Sequence, residues 1–410
     1  AGILDQHPRE EAQAEGRSFP ANRDGWVSLL DDLGLSFRFL AAPQVEEGGL
    51  RGKRVFVLPY STALSGREAA EIRRFVEEGG VLLADAAAGI FDEHVAWREA
   101  AALDGLFGVT SPPPRARPAA AERATGTLQV TAEGRALGLH APELRGIEAL
   151  EPAVRASTGR ALARVGSVEV AVVNRVGKGR TVYLNALLDR PGAAREAFLP
   201  LLRAVLADAG IRPAVVVADP TGRPVPGVRV ARYRFGEHEV VALLSGDLDV
   251  KASFGRDGVT VFETAGTGRS VRRDVEVSLP RAAHVTNART GEALGETARL
   301  QTRLTAGDAL VLTLGPARKE LHLEGPGHAE RGTAPAFTAR ASASGKKLLR
   351  WEVRGPDGAS LPEYARADVE PGESGTFVLP SALNDPAGEY RVRVTDVLSG
   401  ASAEAIVRLE

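Results

Sequence analysis

The chain has 410 residues, 44% hydrophobic and 25% charged, an ordinary globular composition with room for roughly two to four domains. Lys and Arg number 51 against 53 Asp and Glu, a formal charge of -2, so no net field draws nucleic acid or an anionic membrane. There is no cysteine, which excludes disulfides, thiolate nucleophiles and Cys-type zinc sites together. No apolar stretch reaches transmembrane length. The start, AGILDQHPREE, has neither an initiator Met nor a signal-like apolar region, and Met is absent throughout. A processed or excised piece of something larger is expected, or else a Met-poor composition from a GC-rich coding sequence.

In chain order, Gly2-Ile3-Leu4 reads as a first strand and the polar run from Gln6 to Asn22 as a loop leaving it. Asn22 is expected to cap a helix whose Trp26, Leu29, Leu30 and Leu33 form one stripe and which Gly34 ends. Leu35 to Leu40 reads as the next strand, followed by a loop over residues 42–52. Arg54-Val55-Phe56-Val57-Leu58-Pro59 and Val81-Leu82-Leu83-Ala84-Asp85 are apolar runs of the kind buried on both faces of a parallel sheet. Between them Ser65 and Glu68 form a capping box, Ala69, Ile72, Phe75 and Val76 a core-facing stripe, and Gly79-Gly80 a stop. Such a strand-helix-strand unit places functional loops at the carboxyl ends of its strands, here Pro59 to Thr62 and Asp85 to His94.

A short helix is expected between Trp97 and Val109, then an extended spacer at SPPPRARPAAAERATG and a β-rich insertion, about 111–165 in all. Val168 to Asn174 and Arg180 to Asn185 read as a hairpin around Val176-Gly177-Lys178-Gly179. A last helix carries Phe198, Leu201, Leu202, Val205 and Leu206, with Gly210 at its end and a boundary at Arg212-Pro213. Beyond it the period becomes two: VRVARYRF, EVVALLSG, GVTVFET, DVEVSL, AHVTNA, ARLQTRL and ALVLTL imply a sandwich over 213–316. A smaller immunoglobulin-like set over 317–410 follows, with Trp351 as core anchor.

The run LPYSTALSGREAAEIRRFVEEGGVLLADAAAGIFDEH, with the later GKGRTVYLNALL, resembles the middle or trimerisation domain of microbial beta-galactosidases. The similarity spans roughly residues 20 to 210. It implies a class I glutamine-amidotransferase-like, flavodoxin-like α/β domain, an oligomer contact, and a bacterial, extracytoplasmic or cell-surface setting. In that family the catalytic glutamates sit in a preceding barrel, which nothing here resembles. The last segment is also similar to sandwich modules of large bacterial surface and glycan-acting proteins, which says little about activity.

A glutaminase needs a Cys on the sharp turn after a central strand, and the matching place, Asp85-Ala86-Ala87-Ala88-Gly89, holds no nucleophile. No G-x-S-x-G occurs. Ser344-Gly345-Lys346-Lys347 fits S-x-x-K only formally, as a turn between strands. Asp85, Asp92, Glu93 and His94 form the densest constellation, where an open α/β sheet usually binds ligands; a divalent metal or polar ligand competes there with backbone capping and solvated charge. His322, Glu324 and His328 read as strand surface, and Asp247-Leu248-Asp249 as a turn rather than a calcium site.

The expected whole is an amidotransferase-like α/β domain (1–212) followed by two β-sandwich domains (213–316 and 317–410), with no enzyme activity in this chain, no cofactor and no bound metal. Its expected role is assembly, with partners that are further copies of itself or a catalytic domain outside this chain. Neither nucleic acid nor membrane insertion is expected. Trp97, Leu103, Leu106 and Phe107 are the candidate interface residues. The alternatives are the carboxyl-terminal part of an active beta-galactosidase-like glycoside hydrolase, and a glycan-binding surface protein.

Overall fold

The computed structural model describes residues 2–4, 19–114, 124–139, 147–186, 188, 191–245, 250–254, 260–264, 272–316, 320–341, 347–370 and 374–410. They fall into two compact units, residues 1–214 and 215–410. Residues 6–18 of the loop expected from Gln6 to Asn22, the later part of the proline-rich spacer, Asp247 to Asp249 and Ser344 to Lys346 lie outside the described residues.

The first unit runs β1 (Gly2–Leu4), α1 (Phe19–Asp32), β2 (Arg38–Leu40), α2 (Ala42–Glu46), β3 (Val55–Leu58), α3 (Gly66–Glu77), β4 (Val81–Asp85) and α4 (Asp104–Phe107). It continues through β5 (Val109–Thr110), β6 (Ala124–Gly126), β7 (Leu128–Val130), α5 (Ala132–Ala136), β8 (Ile147–Ala149), β9 (Arg155–Ala156), β10 (Arg160–Val165), β11 (Val168–Val176), β12 (Gly179–Leu184) and α6 (Pro191–Asp208). Eight strands form one sheet in the order β2-β1-β3-β4-β12-β11-β10-β7. From β2 to β12 neighbours are parallel, and from β12 to β7 they are antiparallel.

Alternation explains why β3 is apolar throughout and β4 up to Ala84. Val55, Val57, Val81, Leu83, Val182 and Leu184 face a core filled by α1 and α6, through Trp26, Leu30, Phe198 and Leu202. Phe56, Leu58, Leu82, Ala84 and Tyr183 face the opposite core with Val45, Ile72, Phe75 and Phe107. Each face of a period-two strand thus meets its own layer of helices. The capping box forms as its spacing predicts, Ser65 Oγ accepting from Glu68 N at 3.0 Å and Glu68 Oε2 from Ser65 N at 2.8 Å.

Several boundaries differ from expectation. The first helix begins at Phe19, so Asn22 lies within it and is not its cap. The second strand is confined to Arg38–Leu40, and the loop over 42–52 contains α2. The helix expected between Trp97 and Val109 shrinks to Asp104–Phe107, ended by Gly108 at φ 69°. The segment expected to be an insertion supplies β10 and β7, the last two strands of the main sheet. Their short runs gain stability by pairing, β10 with β11 and β7 with β10, which no local pattern reports.

In the second unit, Val216–Ala218, Val228–Phe235, His238–Ser245, Arg272–Asn287, Ala293–Thr305 and Ala309–Gly315 make one antiparallel sheet. Val250–Phe254 and Thr260–Thr264 pair separately as a ribbon. DVEVSL and AHVTNA, expected as two strands, are one, with a register break between Ser278 and Ala283. Pro280 lies in that break: it has no N–H for a ladder, so the strand bends, and its second half pairs with Ala309–Gly315. Residues 321–409 form two sheets around Trp351, whose ring stacks on Phe377 at 5.2 Å and 16°. Arg366–Glu370, an edge strand that the sequence does not announce, pairs only with Lys347–Trp351. The composition change at Gly315-Pro316 separates two cores inside one compact unit, which Thr313 Oγ1 links by donating to Leu398 O at 2.7 Å.

The β11–β12 turn docks on the end of α3, where Lys178 N donates to Glu77 O at 2.9 Å and Arg180 N to Gly80 O at 3.1 Å. A Cβ on Gly179 would stand 2.1 Å from Val76 O and 2.3 Å from Gly80 O, both backbone atoms. Gly179→Ala should therefore destabilise the first unit by about 2–3 kcal/mol in urea denaturation. Gly166→Ala, at φ 57° with nothing within 4 Å of the added methyl, should cost about 1 kcal/mol. Equal effects would show that the contact with α3 does not constrain the turn.

Candidate functional site at the carboxyl edge of the sheet

The parallel strands deliver Tyr60, Asp85 and Asn185 to one edge. β4 ends on Asp85, which is fully buried. Asn22 and Trp26, four residues apart and so on one face of α1, both reach it. Asn22 Nδ2 donates to Asp85 Oδ2, Trp26 Nε1 donates to the same oxygen at 2.7 Å, and Tyr60 N donates to Oδ1 at 2.5 Å. Asn22 Oδ1 in turn accepts from Leu188 N at 2.5 Å. Burial pushes the Asp85 carboxyl up to about 7, against the downward pull of Asn22, Trp26 and Tyr60.

The turns after β3 and β4 are strained. Tyr60 has φ 43° and Ala87 φ 62°, left-handed values that non-glycine residues rarely adopt. Ala87, on the turn after β4, offers only a methyl group. Its N–H donates to Glu151 Oε2 at 3.0 Å, and the Tyr183 hydroxyl donates to the same oxygen. Asn185 fixes the Glu151 backbone, accepting from Glu151 N at 2.8 Å and donating to Glu151 O at 2.9 Å. Ser61, buried beside Tyr60, directs its hydroxyl to Pro59 O at 3.4 Å. Asn22 and Glu151 carry no sequence signal for these roles, since Asp85 and Ala87 lie 63 and 64 residues away from them respectively.

The four expected crevice residues do not meet. Asp85 is sealed within the unit, whereas Glu93 and His94 are exposed. Asp92 Oδ1 accepts from Ala96 N at 2.8 Å and His94 N at 2.9 Å, and these bonds, Ala96 first, hold its carboxyl below the usual range. Among the described residues no group of three His, Asp or Glu could hold a metal ion. No described helix is long and apolar enough to cross a membrane. His322 and His328 lie at the surface, 3.7 Å from Glu320 and 3.6 Å from Glu410.

The interface candidates also divide. Leu103, Leu106 and Phe107 are core residues, and Phe107 packs on Tyr183 at 5.5 Å, so they offer no surface to a partner. The apolar side chains of α4 are drawn under β12, which is why their character misled. Trp97 is 43% exposed and rests on Phe91 at 4.3 Å between ring centres.

No model of a known protein family matches this sequence, and no curated protein matches it. Solved structures do. A beta-galactosidase from Bacillus circulans sp. alkalophilus is similar with 14% identity and a TM-score of 0.53, over 77% of this chain and 41% of that one. A beta-galactosidase from Rahnella sp. R3 is similar with 19% identity and a TM-score of 0.51, over 77% of this chain and 40% of that one. The likeness is one of fold. The chain spans about two fifths of the length of these structures. It is a multidomain, β-rich protein with a beta-galactosidase-related fold.

Asp85 makes the first unit pH-sensitive. The folded state holds the proton up to about pH 7, whereas the unfolded carboxyl releases it near 3.8, so stability falls as pH rises through that window. The decrease is at most roughly 4 kcal/mol. Asp85→Asn should flatten the profile between pH 4 and 7, and should cost about 1–3 kcal/mol because an amide leaves one of three donors without an acceptor. Denaturation midpoints of both proteins across this range measure it; an unchanged slope in the variant would assign the dependence to other groups.

Proposed function

We propose that this chain is a non-catalytic assembly and support region of a glycoside-hydrolase-like protein, its first unit an amidotransferase-like, flavodoxin-like α/β domain without a nucleophile. The observation that carries the reading is Ala87: a strained φ of 62° after the central strand, with a methyl where chemistry would need a thiol or hydroxyl. The polar groups beneath are occupied. Asp85 accepts from Asn22, Trp26 and Tyr60, and Glu151 from Ala87 and Tyr183, bonds that hold loops in place. The partner is a further copy of this chain or a catalytic domain outside it, and Trp97 is the exposed aromatic that a contact would cover.

A second reading, the carboxyl-terminal part of an active glycosidase, draws support from the fold likeness to beta-galactosidases over about two fifths of their length. Under either reading the isolated chain turns over neither a chromogenic galactoside nor glutamine. Sedimentation velocity should show self-association, or complex formation with a separately supplied catalytic domain. Trp97→Asp should weaken that association at least about tenfold without lowering the thermal midpoint, as loss of an aromatic anchor does. Turnover that disappears on a point substitution would overturn the non-catalytic reading. A chain that stays monomeric and binds no catalytic domain would overturn the assembly role.

A further inference from the structure

The antiparallel half of the sheet carries a polar cavity far from Ala87 in its chemistry. Arg164 on β10 stands opposite Gln129 on β7 and Glu169 on β11, so the three side chains make one cross-strand row on a single face. They line a cavity of about 500 Å3 together with Thr131, Glu133 and Arg160. Glu169 is 6% exposed. One of its oxygens accepts from Arg164 Nη2 at 3.2 Å, and the other is buried with no hydrogen-bond partner among the described residues. A buried carboxylate oxygen left so costs about 1–3 kcal/mol, which a donor would recover where the Glu169 side chain turns that oxygen toward the cavity it lines.

The lining also limits the ligand. Thr131 is committed, its hydroxyl donating to Ala161 O at 2.6 Å and accepting from Gly134 N at 3.1 Å. Arg160 and Glu133 have no ion-pair partner among the described residues, and neither does the Gln129 amide have a hydrogen bond there. Two arginines balance two glutamates, so the cavity has no net charge with which to hold a polyanion. It has no aromatic ring on which a sugar could stack, and too little apolar wall for a lipid. What remains is a small ligand carrying both charges.

We propose that this cavity binds a zwitterion of the α-amino acid type. Its carboxylate takes the planar fork of Arg160, and its ammonium is received by Glu169 and Glu133, with Gln129 bridging the two ends. Arg164 is a positioning residue, holding the Glu169 carboxylate toward the row. The proposal does not rest on the assembly reading, since a monomer would bind as well.

Titration calorimetry of the full chain with glycine and alanine should show saturable millimolar binding. N-acetylglycine, which lacks the ammonium, and glycinamide, which lacks the carboxylate, should each bind at least about tenfold more weakly, as should galactose and inorganic phosphate. Arg160→Ala and Glu169→Gln should each lose about tenfold in affinity. Arg160 is exposed, so its variant decides the matter even if the Glu169 variant fails to fold. No saturation by about 50 mM, equal binding of the singly charged derivatives, tighter binding of galactose or phosphate, or full affinity in the Arg160 variant would overturn the proposal.

Discussion

A carboxylate buried at the tip of the central strand organises the first unit. Asp85 binds a side chain at each of two turns of α1 and the backbone of the loop after β3, and so joins three segments distant in sequence. Burial of a charge is unfavourable on its own, and the site works because each oxygen meets at least one donor and the proton is retained to about pH 7. Asn22 extends the same network to Leu188, beyond β12.

Above this network the backbone holds two left-handed residues. Left-handed conformations at Tyr60 and Ala87 persist because the surrounding bonds over-determine them, with Ala87 N held by Glu151 and Glu151 held by Tyr183 and Asn185. Ala87 itself presents only a methyl group on this turn. Groups with uncommitted polar atoms lie elsewhere, on the antiparallel half, where Gln129, Glu133, Arg160 and Glu169 surround a cavity. One sheet therefore carries two kinds of polar cluster, one consumed by structure and one open.

The second unit shows how a single residue redirects a strand. Pro280 interrupts the ladder of a 16-residue strand; both halves pair with Ala293–Thr305, but on the other side the first meets Val216–Ala218 and the second Ala309–Gly315. The last sandwich closes around Trp351 and Phe377 and is tied to the first through Thr313 and Thr286.

The sequence by itself determined the local units. Unbroken apolar runs at Val55–Leu58 and Val81–Asp85, the Ser65–Glu68 box and the period-two patterns after residue 212 are short-range signals, set by burial on two faces, by capping and by alternation. It also showed that no cysteine could act. Only the tertiary structure decided what the polar residues do. Asp92, Glu93 and His94 are neighbours of Asp85 in sequence yet stand apart from it, because Ala88, Gly89 and Ile90 stay buried with Asp85 and the chain first becomes exposed at Glu93 and His94. Asn22, Glu151, Gln129 and Glu169 look ordinary in the sequence, since hydrogen bonds and register rows across tens of residues leave no periodic trace. Leu103, Leu106 and Phe107 are apolar whether they face a partner or the underside of β12, and only the packing of α4 against the sheet assigns them to the core.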